Sequence, residues 1–243
     1  MADIAGNVAY GTETLEVLSE AENFNRWMYR TIRPYCNGKI LEIGSGIGNI
    51  SQFFIQDGAE ITLSDFDRSY LPRLQQRFEH QPNFKGIHRI DLSDTELEKN
   101  HPELIGTFDT VFALNVLEHI EDHELALQNA HKLLRQGGKV VILVPAFQFL
   151  FNGFDEQLRH FRRYTAKSLR QHLEDAGFIV TNSTYFNFIA ILGWFFSGHI
   201  LRKRIIPSGQ MRFYDAMVPV WKMLDYITSG FAGISVIQTG RKR

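Results

Sequence analysis

The chain has 243 residues, 44% hydrophobic and 22% charged, and a net charge of -1: a composition that suits one globular α/β domain with insertions and leaves no room for a second full domain. The near-neutral balance excludes a general electrostatic pull toward nucleic acid, which needs a clustered basic face; Arg202-Lys203-Arg204 and Arg241-Lys242-Arg243 are local exceptions that read as solvated surface charge. A single cysteine, Cys36, excludes an intrachain disulfide and any multi-cysteine metal site and suits a reducing compartment, and the N-terminus lacks the basic start and apolar core of a secretory signal, so a cytoplasmic location is expected.

In chain order, residues 10–35 carry apolar and aromatic side chains at helical spacing (Leu15, Leu18, Phe24, Trp27, Met28, Ile32), closed by Pro34, and predict one or two lead-in helices. A first strand at 39–43 runs into Ile40-Leu41-Glu42-Ile43-Gly44-Ser45-Gly46-Ile47-Gly48-Asn49, an apolar run holding one acid and then glycines at every second position. Such glycines keep Cβ atoms away, so that a large polar ligand can lie against bare backbone where the helix at 49–56 offers free N–H groups. The dinucleotide fingerprint G-x-G-x-x-G wants a third glycine where this chain has Asn49, which argues against a nicotinamide cofactor. Strand two, 60–64, ends in Ser64-Asp65-Phe66-Asp67, about twenty residues beyond the glycines and so where a ribose-binding carboxylate is expected. A helix cap is the alternative role for Asp65.

A helix at 71–78, a strand at 86–90 ending in Asp91-Leu92, and a strand at 108–114 after Gly106-Thr107 follow. Asp91 also fits an N-cap within Asp-Leu-Ser-Asp. Asn115-Val116-Leu117-Glu118-His119-Ile120 leaves the fourth strand; a helix at 121–134 is expected to stop at Gly137-Gly138, and a fifth strand at 139–144 stops at Pro145. Strand and helix alternating this regularly predict βαβ units and a parallel sheet with right-handed crossovers.

The rhythm breaks at 146–164, a long connection rich in aromatics and charge: Phe147-Gln148-Phe149-Leu150-Phe151-Asn152-Gly153-Phe154-Asp155-Glu156, then His160-Phe161-Arg162-Arg163-Tyr164. Loops of that length in compact domains usually carry function. Thr165 is the expected N-cap of a helix at 166–176 stopped by Gly177, and a sixth strand follows at 178–184. Residues 188–232 form a second insertion with two helices, one at 211–227, and 234–239 supplies a closing strand. The most hydrophobic window, 188–201, is too short to cross a bilayer and long enough to touch its surface.

The acid two residues before the first glycine, with the tight G-x-G-x-G spacing, resembles the first motif of the class I S-adenosylmethionine-dependent methyltransferases, and the order of elements over residues 37–240 is similar to that fold. The resemblance implies a three-layer, Rossmann-like, seven-stranded sheet, mostly parallel, with strand seven antiparallel between strands five and six. It implies one domain over 1–243, with an N-terminal helical lid at 1–36 and substrate-covering insertions at 146–164 and 188–232. It further implies that Glu42, Gly44, Ser45, Gly46 and Gly48 form the turn beside the methionyl part of S-adenosylmethionine. Asp65 then takes the ribose hydroxyls with Phe66 beside the adenine, Asp91 and Leu92 read the adenine edge, and Asn115 lies at the sulfonium end.

Asn115-Val116-Leu117-Glu118-His119 also resembles small-molecule methyltransferases typified by ubiquinone-biosynthesis enzymes, with Asn115 where those carry an acid. The Asp155-Glu156…His160-Phe161-Arg162-Arg163-Tyr164 block and the closing Gly233-Ile234-Ser235 look like those of a broad bacterial methyltransferase group. Following strand five at the sheet's carboxyl edge, the block is expected to hang over the methyl group. The substrate-side candidates are Phe151, Asp155, Arg162, Arg163, Tyr164 and Trp194: either arginine can grip a carboxylate or phosphate, or fasten the loop to Asp155 and Glu156. His160 and His119 are the candidate bases, imidazole being suited to proton transfer. His119 and His123, one helical turn apart, can pair on a metal or simply be solvated; no metal is expected.

The expected activity is methyl transfer to an oxygen or nitrogen of a small, apolar or lipid-like acceptor under an aromatic roof (Phe149, Phe151, Phe154, Trp194, Phe195, Phe196). The alternatives are a nicotinamide-dependent oxidoreductase and a peripheral membrane module using 188–204.

Overall fold

The computed structural model describes residues 15–201 and 208–243. The first part of the expected N-terminal lid and the Arg202-Lys203-Arg204 cluster lie outside these residues.

Seven strands form one sheet in the order β3-β2-β1-β4-β5-β7-β6: β1 (Ile40–Ile43), β2 (Ile61–Ser64), β3 (Phe84–His88), β4 (Phe108–Leu114), β5 (Leu134–Pro145), β6 (Phe178–Phe186) and β7 (Ser235–Lys242). All neighbouring pairs through β5 are parallel. β7 runs antiparallel to both β5 and β6, between which it is slotted, as expected from the sequence. The helices are α1 (Glu22–Ile32), α2 (Ser51–Gln56), α3 (Leu71–Phe78), α4 (Leu97–Asn100), α5 (His123–Leu133), α6 (Gly153–Gln157), α7 (Ala166–Asp175), α8 (Ile189–Phe195), α9 (Ser208–Ala216) and α10 (Val218–Thr228).

The three layers follow from the alternation of side chains along each strand. Leu41 and Ile43 of β1, Val111 and Ala113 of β4, and Val140, Ile142 and Val144 of β5 face one core, closed by Ala126, Leu127 and Leu133 of α5 and Leu169 and Leu173 of α7. Ile40, Phe112, Val141 and Leu143 face the other, closed by Trp27, Met28, Tyr29 and Ile32 of α1 and by Phe53 and Phe54 of α2. There Phe54 stacks on Phe112 at 5.0 Å between ring centroids. Helix α1, expected as lid, is thus a core helix, and each such buried side chain removes apolar surface worth about 1.5–3 kcal/mol from water.

Three sequence expectations are corrected. Helix α5 ends at Leu133 and passes straight into β5, so the glycine pair expected to stop a helix lies inside the strand, where Gly137 takes a φ of +74° and the pairing register with β4 shifts. The helix expected at 211–227 breaks at Met217 and restarts under Pro219, a proline placed in the first turn where its missing N–H costs nothing. Among the described residues the second insertion accordingly holds three α-helices. β3 begins two residues before the expected start.

Candidate functional site

The carboxyl ends of β1, β2, β4 and β5 converge on one edge, and two constellations stand there. The first is the glycine turn. Gly44, Gly46 and Gly48 have φ values of +72°, +54° and +83°, the left-handed region that costs other residues about 1–2 kcal/mol. A Cβ on Gly44 would stand 2.4 Å from Val116, on Gly46 2.9 Å from Leu15 and on Gly48 2.8 Å from Phe78, so the turn is also wrapped closely by its own protein. The Leu15 carbonyl also accepts the Asn49 side-chain amide at 3.0 Å.

Within the turn itself three N–H donors are spent internally. Ser45 N–H donates to the Ser64 carbonyl at 2.9 Å, Gly48 N–H to the Ser45 carbonyl at 2.9 Å, and Gly46 N–H to Asp65 Oδ2 at 2.8 Å. The glycines and Asp65 are therefore one hydrogen-bonded unit. The Asp67 N–H donates to the other carboxylate oxygen of Asp65 at 2.9 Å. No cation faces this buried carboxyl among its interactions, and burial raises its pKa against the pull of those backbone N–H bonds. A carboxylate has about four acceptor sites, so capacity remains for a ligand's hydroxyls.

Beside it Phe66 is 58% exposed, with the Arg89 guanidinium over its ring at 5.3 Å. Glu42 is buried, accepts from the Ser51 hydroxyl, and burial pushes its pKa up to about 7. Asp91 Oδ1 accepts from both the N–H and the hydroxyl of Ser93, a local turn and not the helix N-cap of its alternative reading, since the next helix starts at Leu97, and Leu92 is buried with its carbonyl held by Asn129. Asn115 takes a φ of +54°, and Val116 after it reaches Gly44. Non-glycine residues in that region are uncommon and cluster at functional sites.

The second constellation lies in the loop after β5. Its ends are tied, Phe147 N–H donating to the Tyr164 carbonyl and Tyr164 N–H to the Pro145 carbonyl, and it is filled by a 3-10 turn (Gln148–Leu150) and by α6. Asp155 is the hub. It closes the capping box of α6 by accepting Asn152 N–H at 3.0 Å, holds His160 Nδ1 at 2.8 Å, and takes Arg163 Nε and Nη2 at 2.8 and 3.0 Å. Burial alone would raise this carboxyl, but His160 and Arg163 outweigh it and hold the pKa below the usual range. Arg163 is buried, its Nη1 bonded to the Ala146 carbonyl and its plane over Trp194 at 4.9 Å. Arg162 donates to the backbone carbonyls of Ile120 and Glu121. Of the two roles left open for the arginines, these bonds are those of fastening. Tyr164 is buried in the core, its hydroxyl against His123 Nδ1 at 2.8 Å.

One residue of this site went unnoticed in the sequence. Glu118, in the 3-10 turn Leu117–His119, is 0% exposed; neither carboxylate oxygen has a hydrogen-bond partner, and Oε1 stands 4.0 Å from His160 Nε2. Burial raises its pKa to about 8. His119 is exposed and edge-on to His160 at 4.6 Å. The pairing of His119 with His123 is not made: ligand atoms of Glu118, His119 and His160 form one group, and those of His123, Glu124 and His172 another. Above the loop, Trp194 of α8 packs on Phe154 at 4.8 Å and donates its indole N–H to the Leu150 carbonyl, while Phe151 is half-buried beside it in the chain. Gly198 approaches Asn152 so closely that a Cβ would stand 2.2 Å from its side-chain amide, which fixes the insertion to α6.

The family model for a methyltransferase domain matches residues 41–140. The ubiquinone biosynthesis O-methyltransferase of Pseudomonas aeruginosa is 33% identical over 104 residues, 43% of this chain and 43% of that enzyme. The chain thus spans less than half the length of that curated relative. The ubiquinone/menaquinone biosynthesis C-methyltransferase of Vibrio parahaemolyticus is 23% identical over 77% of this chain and 82% of its own. The fold is similar to that of Haemonchus contortus phosphoethanolamine N-methyltransferase 2, solved in complex with S-adenosyl-L-methionine, with a TM-score of 0.59 and 20% identity over 90% of this chain and 52% of that one.

Proposed function

We propose, on the match of residues 41–140 to a methyltransferase domain and its fit to the class I S-adenosylmethionine-dependent family, that the chain transfers a methyl group to an oxygen or nitrogen of a small, apolar acceptor, the hydroxyl being favoured. In this reading Asp65 holds the ribose, Phe66 lies beside the adenine with Asp91 and Leu92 at its edge, and Glu42 and the turn from Gly44 to Gly48 flank the methionyl part near Asn115. The spare acceptor capacity of Asp65 and the exposed ring of Phe66 fit that nucleoside.

When bound, S-adenosylmethionine supplies a methyl already activated on a sulfonium, which leaves alignment, exclusion of water and removal of one acceptor proton to the protein. His160 carries the proposal. Asp155, held ionised, can only accept, so the neutral imidazole bears its proton on Nδ1 and presents Nε2 as the basic atom. Glu118, neutral near pH 7, places no second carboxylate charge beside that imidazole. Trp194 and Phe154 pack on each other, with the Arg163 guanidinium against the indole, and form the aromatic part of the loop that carries this base. Arg163 keeps the Asp155 carboxylate in register and ionised.

The relatives named above act, by their names, on O, C and N; a base favours the first. No helix among the described residues is long and apolar enough to cross a membrane, and the cytoplasm is the location that fits a reduced Cys36. The nicotinamide alternative finds no support. The test is transfer of tritiated methyl to decylcatechol and to decylamine. His160→Ala should lower kcat on the catechol by about 100-fold or more, the range of general-base effects, with S-adenosylhomocysteine affinity unchanged. Unaltered kcat would remove His160 from the reaction.

A further inference from the structure

Helix α10 packs on α8 and on α9, and α9 and α10 pack on α1, and the three sort their side chains sharply. Inward, Trp194 meets Phe154, and the only acids of residues 188–232, Asp215 and Asp225, are buried and spent. Asp215 accepts the N–H groups of Asn23 and Phe24 and the Asn23 side-chain amide, while Asp225 accepts the Phe188 N–H. Outward, Leu192, Phe196 and Ile200 on α8 and its π turn (Phe196–Ile200), and Met223, Tyr226 and Ile227 on α10, are all more than half exposed. Arg212 is exposed on α9, Lys222 lies on α10, and Lys222 feels Arg26 and Arg30 of α1 closely enough that, after burial, their charge lowers its pKa. Glu22 pairs with Arg26 and leaves the rest of this cluster unneutralised.

We propose that the outer face of α8–α10 docks on the surface of an anionic lipid bilayer. Large apolar side chains beside cations, with both local acids turned away, are what an interfacial helix needs to sink into the headgroup boundary and be drawn to negative lipid. Six large apolar side chains this exposed on two helices packed together are unusual on a freely soluble chain. A second copy is the poorer occupant. A twofold contact sets a patch against itself, which here would bring Arg212, Lys222 and Arg30 against their own copies. In this docking the helices would lie in the surface plane, no helix among the described residues being long and apolar enough to cross it. Because Trp194 projects inward from the same helix whose Leu192 and Phe196 project outward, docking sets the aromatic roof of the site at the lipid boundary, where an apolar acceptor would be drawn. The last point rests on the proposed methyl transfer; the docking itself does not.

The test is co-sedimentation of the purified chain with vesicles of phosphatidylcholine alone and with phosphatidylglycerol added. Binding is expected only to the mixed vesicles and should fall as salt rises. Arg212→Glu with Lys222→Glu should weaken it at least tenfold, and Met223→Glu with Ile227→Glu should abolish it, while both variants keep wild-type affinity for S-adenosylhomocysteine and wild-type circular dichroism. Absence of wild-type binding overturns the proposal, as does equal binding to both vesicles. So does a wild-type dimer in sedimentation equilibrium that Met223→Glu with Ile227→Glu dissolves, since a second copy then covers the face. Nucleoside affinity in the same samples reports separately on the methyl-donor reading.

Discussion

Asp65 and Asp155 are both buried acids at the carboxyl edge of one sheet, yet their carboxyls shift in opposite directions. Asp65 meets backbone N–H groups and no cation, keeps acceptor capacity, and is raised by burial. Asp155 is surrounded by Arg163, His160 and the Asn152 N–H, has its oxygens committed, and is held low. A buried acid with unspent lone pairs is suited to a ligand; one whose partners are all protein organises other side chains. In the proposed reading the donor half of the site is built from backbone and one carboxyl, and the acceptor half from a side-chain network.

The sharpest way to break that contrast is Asp155→Ala. It leaves the Arg163 guanidinium buried without its counter-ion, so stability should fall by about 3–5 kcal/mol, read as a lower urea midpoint; a loss under 1 kcal/mol would make Asp155 no hub. Next is Gly44→Ala, where the left-handed φ and the approach of Val116 combine; about 1–3 kcal/mol should be lost, with weaker S-adenosylhomocysteine binding because the turn itself must shift. Stability lost with affinity intact would separate the turn from the donor site.

Glu118→Gln probes the acceptor half through pH. The folded-state pKa of about 8 lies above the unfolded value of 4.5, so the fold binds the extra proton and the wild type loses stability as pH rises between them. The glutamine variant lacks that loss, and its advantage in urea midpoint over wild type should be larger at pH 8 than at pH 5. An advantage independent of pH would mean Glu118 is solvated. Asp155, depressed, works the other way: its stabilisation is present at neutral pH and disappears only as pH falls through a value below the usual carboxylate range.

What the sequence carried and what it hid divide along the same line. β4 and α3 fall on the expected residues because Gly106 and Pro72 bound them. The glycine turn, β2 ending in Asp65, and an antiparallel last strand followed from local spacing and from resemblance. Gly233, noticed only as a shared motif, has a physical reason: a Cβ there would stand 2.4 Å from the Phe186 carbonyl oxygen, where the chain turns into β7 beside β6. The use of the turn's N–H groups by Ser64 and Asp65 was not legible, because it depends on how β1 and β2 meet in space. Glu118 was hidden for a similar reason. A glutamate in an acidic stretch reads as solvated, and the one available signal was its place just after Val116 and Leu117, at the exit of a buried strand. The roles of Arg162 and Arg163 needed the folded loop, since composition allows a ligand grip and an internal clamp equally.

The central claim is that Asp65 and the turn it is bonded to hold the methyl donor. Calorimetric titration of the purified chain and of Asp65→Asn with S-adenosylhomocysteine tests it most directly. The account predicts binding of one nucleoside per chain and an affinity at least tenfold lower in the variant, about 1.4 kcal/mol, with wild-type circular dichroism retained and a lower urea midpoint, because the amide oxygen can accept only one of the Gly46 and Asp67 N–H groups. No binding by the wild type, or equal affinity in the two proteins, would contradict it.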